Sequence, residues 1–306
     1  MIKIVNVSKK FEEKTALEEV SLNIEKGCLY GLVGSNGAGK STLLRLVSGV
    51  YQCDTGSVTL GGAPIYENPA AKKRLFFVPD ELYFLPQSNL RRMALFYASC
   101  YPQFNWDRFY FLAKTFDLNS KAGINSFSKG MKRQAAAILA LCCETEYLLF
   151  DETFDGLDPI MRNLVRKLLY SDICERNLTV ILSSHSLREL EDTCDHIALL
   201  HKGGLLLNSD VTDLKTSLFK IQVAFEFPYD QSLFKEFDVC SFIKSGSVAR
   251  LIVQGDREEL SNKIKVMSPV LYEAVPLTLE EVFLYQMEQK GYSFPDILPE
   301  KEGAVQ

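Results

Sequence analysis

Residues 34–42 combine three glycines with a lysine and two adjacent hydroxyl side chains. They fit the pattern G-x-x-x-x-G-K-[ST] at every fixed position. Glycines let the backbone turn tightly, so that successive N–H groups point into a concave nest for phosphate oxygens. The lysine would reach the β- and γ-phosphates, and the first hydroxyl would ligate Mg²⁺. The candidate phosphate-contacting residues are Gly34, Ser35, Asn36, Gly37, Ala38, Gly39, Lys40, Ser41 and Thr42.

The flanking segments decide whether this match is more than a glycine-rich turn with a chance lysine. Residues 28–33 are apolar and predict a buried strand, and residues 42–47 predict a helix. The positive N-terminus of such a helix would face bound phosphates. The sequence therefore predicts a nucleoside triphosphate site.

A second candidate group lies where two later strands end. Residues 147–150 are apolar and run directly into Asp151 and Glu152. Ligands of α/β sheets sit at the carboxyl ends of strands, so both acids are expected beside the phosphate loop. We expect Asp151 to hold the Mg²⁺ shell and Glu152 to orient and deprotonate the attacking water. His185 follows the apolar run 178–182, and its position leaves open a γ-phosphate contact or an ordinary strand end.

Two further residues have both a structural and a functional interpretation from position alone. Phe11 could stack on a purine base or be a core or loop phenylalanine. Ser128 precedes a helical pattern and is a good N-cap, which would be a purely structural role.

Composition limits the classes of protein that the chain can belong to. With 306 residues, two domains are expected, and 47% apolar against 24% charged residues is an ordinary globular balance. The net charge of −5 gives no argument for nucleic-acid binding. Eight cysteines without a C-x-x-C pair indicate reduced thiols in the cytosol rather than a metal site or disulfide framework. No stretch of about 20 apolar residues predicts a membrane span, and the first residues lack a signal-peptide pattern.

The chain order predicts an α/β nucleotide-binding fold followed by a second domain. Residues 1–217 would form the first domain, with a helical subdomain at about 88–142 whose aromatic residues either fill a core or dock a partner. Residues 218–290 follow a β-α-β-β-α-β pattern, with helices at 230–237 and 257–266, which predicts a small α+β ferredoxin-like domain. Residues 291–306 are expected to be a disordered tail.

The order and spacing of these motifs resemble the ATP-binding cassette (ABC) ATPases over about residues 2–217. The resemblance implies ATP and Mg²⁺ as cofactors and a head-to-tail dimer that sandwiches two ATP molecules. It implies that Ser128, Lys129 and Gly130 contact the partner subunit's nucleotide. It further implies adenine stacking for Phe11, a general base at Glu152, an interface residue at Asp158 and a γ-phosphate switch at His185.

The chain departs from the family pattern at three places. Lys129 and Met131 replace the second and fourth residues of the usual S-G-G-Q signature, which resembles a divergent exporter branch. Asp80 stands where the family has a magnesium-sensing glutamine. Because the aspartate side chain is shorter, its contact to the metal would run through a water. Residues 153–155 replace the Pro-Thr-Ser found in many members.

The resemblance also implies partners and a location. The chain would be the ATPase subunit of a bacterial drug, peptide or lipid exporter, acting as a homodimer or a heterodimer with a related subunit. It would lie on the inner face of the cell membrane, bound to a separate integral permease. The alternative is an ATPase of translation or DNA repair, but the chain has one phosphate loop and no extended heptad run.

Overall fold

The computed structural model describes residues 1–289. The chain divides into two compact units after Asn208. The tail predicted at residues 291–306 lies outside the described part. Among the described residues, no helix has the length and apolar character needed to cross a bilayer.

The first unit alternates strands and helices in a pattern typical of α/β folds. Its strands, the last of which ends at Asp210, are β1 Ile2–Phe11, β2 Lys14–Ile24, β3 Leu29–Val33, β4 Thr55–Leu60, β5 Ala63–Pro64, β6 Leu75–Val78, β7 Tyr147–Asp151, β8 Thr179–Ser184, β9 His196–His201 and β10 Gly204–Asp210. Its helices are α1 Lys40–Val47, α2 Pro69–Lys72, α3 Leu90–Cys100, α4 Trp106–Thr115, α5 Lys129–Cys142, α6 Pro159–Arg176 and α7 Leu187–Glu191. Single 3₁₀ turns occupy Ile124–Ser126 and Phe154–Gly156.

A six-stranded sheet of order β10-β9-β3-β8-β7-β6 positions the candidate site. Every residue of β3, β7 and β8 is buried, as expected for parallel strands covered on both faces. The register pairs Val33 with Ser184 and Asp151 with Ser183. The carboxyl ends of these three strands therefore lie level with one another at one edge of the sheet.

Helix α1 packs on the six-stranded sheet on one side, and an antiparallel sheet of order β2-β1-β4-β5 packs on its other side. Side chains of both sheets and of this helix form one hydrophobic core, which includes Ile4, Leu22, Leu44 and Ile181. In the antiparallel sheet, β4 and β5 form a short hairpin across Gly61 and Gly62, which both have positive φ. Helix α1 is thus held between two sheets, and its N-terminus lies at the sheet edge.

The predicted helical segment contains α3, α4 and α5. Asn89, Asn105 and Ser128 each accept a hydrogen bond from a backbone N–H in the first turn of the following helix. Phe109 and Leu112 are fully buried, whereas Phe96 and Phe111 are exposed by 44% and 63%. The aromatic residues therefore supply both a core and an exposed surface.

The second unit contains α8 Val211–Ser217, β11 Leu218–Ala224, a 3₁₀ turn Gln231–Phe234, β12 Asp238–Ser245, β13 Val248–Gln254, α9 Arg257–Val266, β14 Leu271–Pro276 and α10 Leu279–Gln289. Its sheet has the antiparallel order β12-β13-β11-β14, with β11 and β13 in the centre. In chain order this is the 2-3-1-4 arrangement expected of a ferredoxin-like domain. A capping box begins α10, in which Thr278 Oγ1 accepts from the Glu281 N–H at 3.2 Å.

Two details of the predicted second domain differ from the structure. The helix predicted at 230–237 is wrong, since only the 3₁₀ turn Gln231–Phe234 forms. The side chain of Asp230 accepts from the N–H of Ser232 at 2.8 Å, and a local bond of this kind offers the backbone an alternative to an α-helix. The division of the chain also falls after Asn208 rather than at residue 217, because α8 belongs to the second unit.

Candidate nucleotide site

A cleft of about 430 Å³ lies at the end of the six-stranded sheet where the predicted phosphate loop and carboxylates meet. The structure brings together residues that are far apart in the chain at this place. The lining residues are Phe11, Lys14, Ala16, Asn36, Gly37, Gly39, Lys40, Ser41, Thr42, Asp80 and Glu152.

The phosphate loop enters α1 through Gly39, whose φ of 107° is strained for any residue with a side chain. A Cβ atom at this position would lie 2.7 Å from the carbonyl oxygen of Ala16. No side chain caps α1, so the loop leaves the first backbone N–H groups of the helix available to an anion.

Lys40 is buried, with 3% of its side chain exposed. Its Nζ atom donates to the carbonyl oxygen of Gly34 at 2.7 Å and lies 3.1 Å from Oε1 of Glu152. The lysine charge is therefore fixed between the loop backbone and the carboxylate that follows β7.

Asp151 and Ser183 form a buried pair across β7 and β8. Ser183 Oγ donates to Oδ1 of Asp151 at 2.6 Å. The other oxygen, Oδ2, is buried and has no hydrogen-bond partner among the described residues. A buried carboxylate oxygen without a partner is costly unless a cation or donor approaches it, so Asp151 suits a metal ligand.

Glu152 stands in the left-handed region, with φ of 46°. Its backbone N–H donates to Ser183 Oγ at 3.0 Å, and its side chain is 22% exposed and lines the cleft. Nδ1 of His185 lies 3.8 Å from Oε2 of Glu152. The side chain of His185 is 55% exposed, so the histidine stands at the open side of the carboxylate.

Phe11 ends β1 at the rim of the cleft and is 39% exposed. Its ring meets the ring of Tyr51 edge-on, with centroids 5.3 Å apart. One edge of the ring is thus supported by the protein while part of its surface is open to the cleft.

Replacing Phe11 by alanine is expected to raise the dissociation constant for ATP about tenfold, since stacking of a base on an aromatic ring is worth roughly 1–3 kcal/mol. Phe11→Trp, the matched control, should bind ATP as tightly as the parent. Binding is measured by isothermal titration calorimetry with ATP. An unchanged constant in Phe11→Ala would leave only the structural role for this residue.

The structure does not bring Ser128, Lys129 and Gly130 into the cleft of their own chain. Ser128 is exposed, and its Oγ accepts from the N–H of Met131 at 3.2 Å, so its predicted N-cap role is confirmed. Asp158 likewise caps α6, accepting from Ile160 and Met161. The signature residues therefore stand at a helix N-terminus outside the cleft.

Sequence reasoning missed four residues in or around the cleft. Lys14 and Ala16 line it because β2 pairs with β1 in a hairpin, which places Lys14 opposite Phe11. Ser183 is a polar residue at the end of an otherwise apolar strand, and that contrast could have identified it. Arg133 donates to the Glu152 carbonyl and pairs with Asp80 at 2.9 Å, and no short motif marks it.

Comparison with known proteins identifies the family. The ABC transporter family matches residues 17–155. The linearmycin resistance ATP-binding protein LnrL of Bacillus subtilis is 32% identical over 224 residues, which cover 71% of this chain and 72% of LnrL. The chain is a member of the ABC transporter ATP-binding proteins. It is therefore a nucleotide-binding ATPase.

A second relative matches over most of the chain, and a solved structure matches the fold of its larger part. The ABC transporter ATP-binding protein YtrB of B. subtilis is 28% identical over 284 residues, covering 93% of this chain and 97% of YtrB. A solved ATP-binding subunit of an ABC transporter superposes with a TM-score of 0.65 at 22% identity, covering 70% and 92% of the two chains. These ABC relatives do not favour the alternative of a translation or repair ATPase.

Proposed function

We propose that this chain dimerises on binding MgATP and drives a separate membrane permease that exports a drug, peptide or lipid. The observation that carries the proposal is the cleft in which Lys40 and Glu152 meet at 3.1 Å. Further support comes from relatives named for bacitracin transport in Bacillus licheniformis and lantibiotic transport in Streptococcus pyogenes. In this proposal the chain acts on the cytoplasmic face of the membrane.

Hydrolysis in this proposal depends on three residues at the sheet edge. Glu152 accepts the proton of the attacking water, and Lys40 holds the γ-phosphate as a point charge. His185 stands on the open side of Glu152 and contacts the γ-phosphate. Fixed groups around a preorganised site lower the barrier because they need little reorganisation during reaction.

Mg²⁺ fits the donor set of the cleft. Asp151 offers its unpartnered Oδ2 and Ser41 its hydroxyl. Within residues 1–289, no three His, Cys, Asp or Glu side chains gather to hold a metal by themselves. One carboxylate and one hydroxyl suit Mg²⁺, which keeps several water ligands and also binds the phosphates of the substrate. When bound, the ion neutralises developing charge on the phosphates.

The exposed N-terminus of α5 supports a shared site. Because Ser128, Lys129 and Gly130 do not line their own cleft, they are free to face the nucleotide of a second subunit. The backbone N–H groups of this helix N-terminus and the positive end of the helix dipole favour a phosphate. The partner is a second copy or a related ATPase subunit.

An apolar groove between β6 and the helical segment is the proposed permease-docking surface. It measures about 230 Å³ and includes Phe77, Pro79, Leu82 and Tyr97. Tyr83, also in its lining, is 73% exposed, which is high for a large aromatic side chain. An exposed apolar patch of this kind is typical of a protein contact site.

The test isolates tagged Glu152→Gln protein from detergent-solubilised membranes in MgATP. We expect one multi-span integral protein encoded near this chain to accompany it, and Tyr83→Glu to weaken that association. Lys40→Ala, processed in parallel, controls for nucleotide dependence. Recovery of the ATPase without any integral membrane protein would argue against the transport role.

Ending the chain after Asn208 is expected to leave nucleotide binding near normal, because every residue of the cleft precedes that point. The hydroxyl of Tyr30 donates to Asn208 at 2.6 Å, so this boundary preserves a contact of the first unit. The sheet of the second unit has β12 and β14 as its edge strands, and edge strands are able to pair with a second copy, so we propose that this unit supports dimerisation.

Sedimentation of the truncated protein should therefore shift toward monomer at low concentration, while calorimetry with MgATP matches the full chain. The isolated second unit should fold, since it has its own core around Ile221, Val223 and Leu251. Loss of MgATP binding on truncation would mean that the nucleotide fold needs the second unit.

A further inference from the structure

Arg133, in the second turn of α5, donates hydrogen bonds to two backbone carbonyls that follow β7 and to one carboxylate. Its Nη1 atom donates to the carbonyl oxygens of Glu152 and Thr153 at 2.5 and 3.2 Å. Its Nη2 atom donates to Oδ1 of Asp80 at 2.9 Å. Only 19% of the arginine side chain is exposed, so these contacts hold it in one position.

Gly156 makes room for this guanidinium group. A Cβ atom at Gly156 would lie 2.7 Å from both Cδ and Nε of Arg133. Contacts that short do not occur, so a side chain at Gly156 would displace the arginine. The 3₁₀ turn after β7 and the Arg133 side chain therefore depend on each other.

The contact with Glu152 matters because this residue has a left-handed backbone, with φ of 46°. A residue with a side chain adopts that conformation at a cost in free energy and keeps it only when its surroundings hold it. Two side chains among the described residues hold the backbone of Glu152. Ser183 accepts from its N–H, and Arg133 donates to its C=O. The direction of the Glu152 side chain follows from this clamped backbone.

Asp80 connects the clamp to another part of the surface. It follows Pro79, which lines the apolar groove beside β6, and its own side chain lines the nucleotide cleft. A shift of residues 79 and 80 would therefore pull on the guanidinium group that holds the Glu152 carbonyl.

We propose that Arg133 is a positioning residue for Glu152, and that its ion pair with Asp80 holds the guanidinium group on the Glu152 carbonyl. The inference deepens the proposed function and rests on Glu152 as the general base. It assigns to the Asp80–Arg133 pair the support of the Glu152 backbone.

The first test compares Arg133→Gln and Arg133→Lys with the parent in steady-state ATP hydrolysis and in ATP binding by calorimetry. Arg133→Gln should lower kcat about tenfold or more, because small misplacements of a catalytic group have large effects on rate. Its dissociation constant for ATP should stay within about twofold, because Lys40 and the loop glycines are unchanged. Arg133→Lys, which keeps the charge without the fork, should fall between parent and Arg133→Gln.

Arg91→Gln is the matched control, since Arg91 is exposed on the adjacent α3 and its loss also removes one positive charge. Thermal unfolding of each variant separates a positioning effect from general destabilisation. A parental kcat in Arg133→Gln would overturn the inference, as would equal losses of kcat and ATP affinity. Turnover in Glu152→Gln, measured alongside, would instead remove the general base and with it the proposed mechanism.

The second test is a double-mutant cycle of Asp80→Ala and Arg133→Gln. Asp80→Ala alone should lower kcat by about two- to fivefold, because Arg133 keeps its contact to Glu152. Combined with Arg133→Gln it should add no further loss, since Asp80 acts through the arginine. Losses that multiply in the double variant would show that Asp80 acts independently, and the proposed link would be wrong.

Discussion

Replacing Glu152 by glutamine is expected to slow ATP hydrolysis about 10²–10⁴-fold, the loss typical of a missing general base. Glutamine keeps the size and polarity of the side chain but cannot accept the proton of the attacking water. The phosphate loop and Asp151 are untouched, so MgATP should still bind. The measurement is steady-state phosphate release at saturating ATP.

The same variant should accumulate as an ATP-bound dimer during gel filtration, because nucleotide is retained between the subunits. Glu175→Gln is the matched control, since Glu175 lies on the exposed part of α6 and its Oε1 accepts from Ser171. It should turn over ATP at the parental rate and elute as the parent does. Parental turnover in Glu152→Gln would remove this residue from the mechanism.

Lys40→Ala and Ser128→Arg should each abolish hydrolysis, but for different reasons. Lys40 is buried in the loop that holds the phosphates, so its loss should abolish ATP binding as well. Ser128 lies outside the cleft of its own chain, so Ser128→Arg should bind ATP normally. Loss of its N-cap should cost about 1 kcal/mol of stability, which the fold should tolerate.

Mixing the two variants should restore hydrolysis if the site is shared. In a mixed dimer, one site combines both defects, while the other has an intact loop and an intact signature. Random pairing of equal amounts would restore roughly a quarter of the parental rate if sites work independently. Lys40→Ala mixed with a chain carrying both substitutions is the control and should remain inactive. An inactive mixture of the two single variants would contradict the trans arrangement.

The parts of the site that follow from local sequence were predictable. The phosphate loop, the strand before it and the helix after it lie within one short segment, so residue types and spacing define them. Asp151 and Glu152 were predictable because an apolar strand runs directly into two acids. Their closeness to Lys40 follows from a general property of parallel sheets, that the carboxyl ends of strands share an edge.

The residues that were missed owe their place to long-range pairing. Ser183 contacts Asp151 because β7 and β8 pair in one register, and Lys14 reaches the cleft because β1 and β2 form a hairpin. A single sequence does not specify these registers. Arg133 is similar, since its three contacts lie on segments that precede or follow it by many residues. In the second unit, the helix predicted at 230–237 was outweighed by the local hydrogen bond from the Ser232 N–H to the Asp230 side chain.

The ion pair between Lys40 and Glu152 has a consequence for nucleotide affinity. A γ-phosphate that approaches Lys40 competes with a carboxylate already 3.1 Å from Nζ. Some of the attraction between lysine and phosphate is therefore offset by separating this pair, and the carboxylate can return to the lysine when phosphate leaves. We therefore expect Glu152 to act as an internal substitute for the anion, which would favour release of inorganic phosphate after each turnover. A neutral glutamine cannot compete in this way, so retention of nucleotide in Glu152→Gln has a second cause besides the lost proton acceptor.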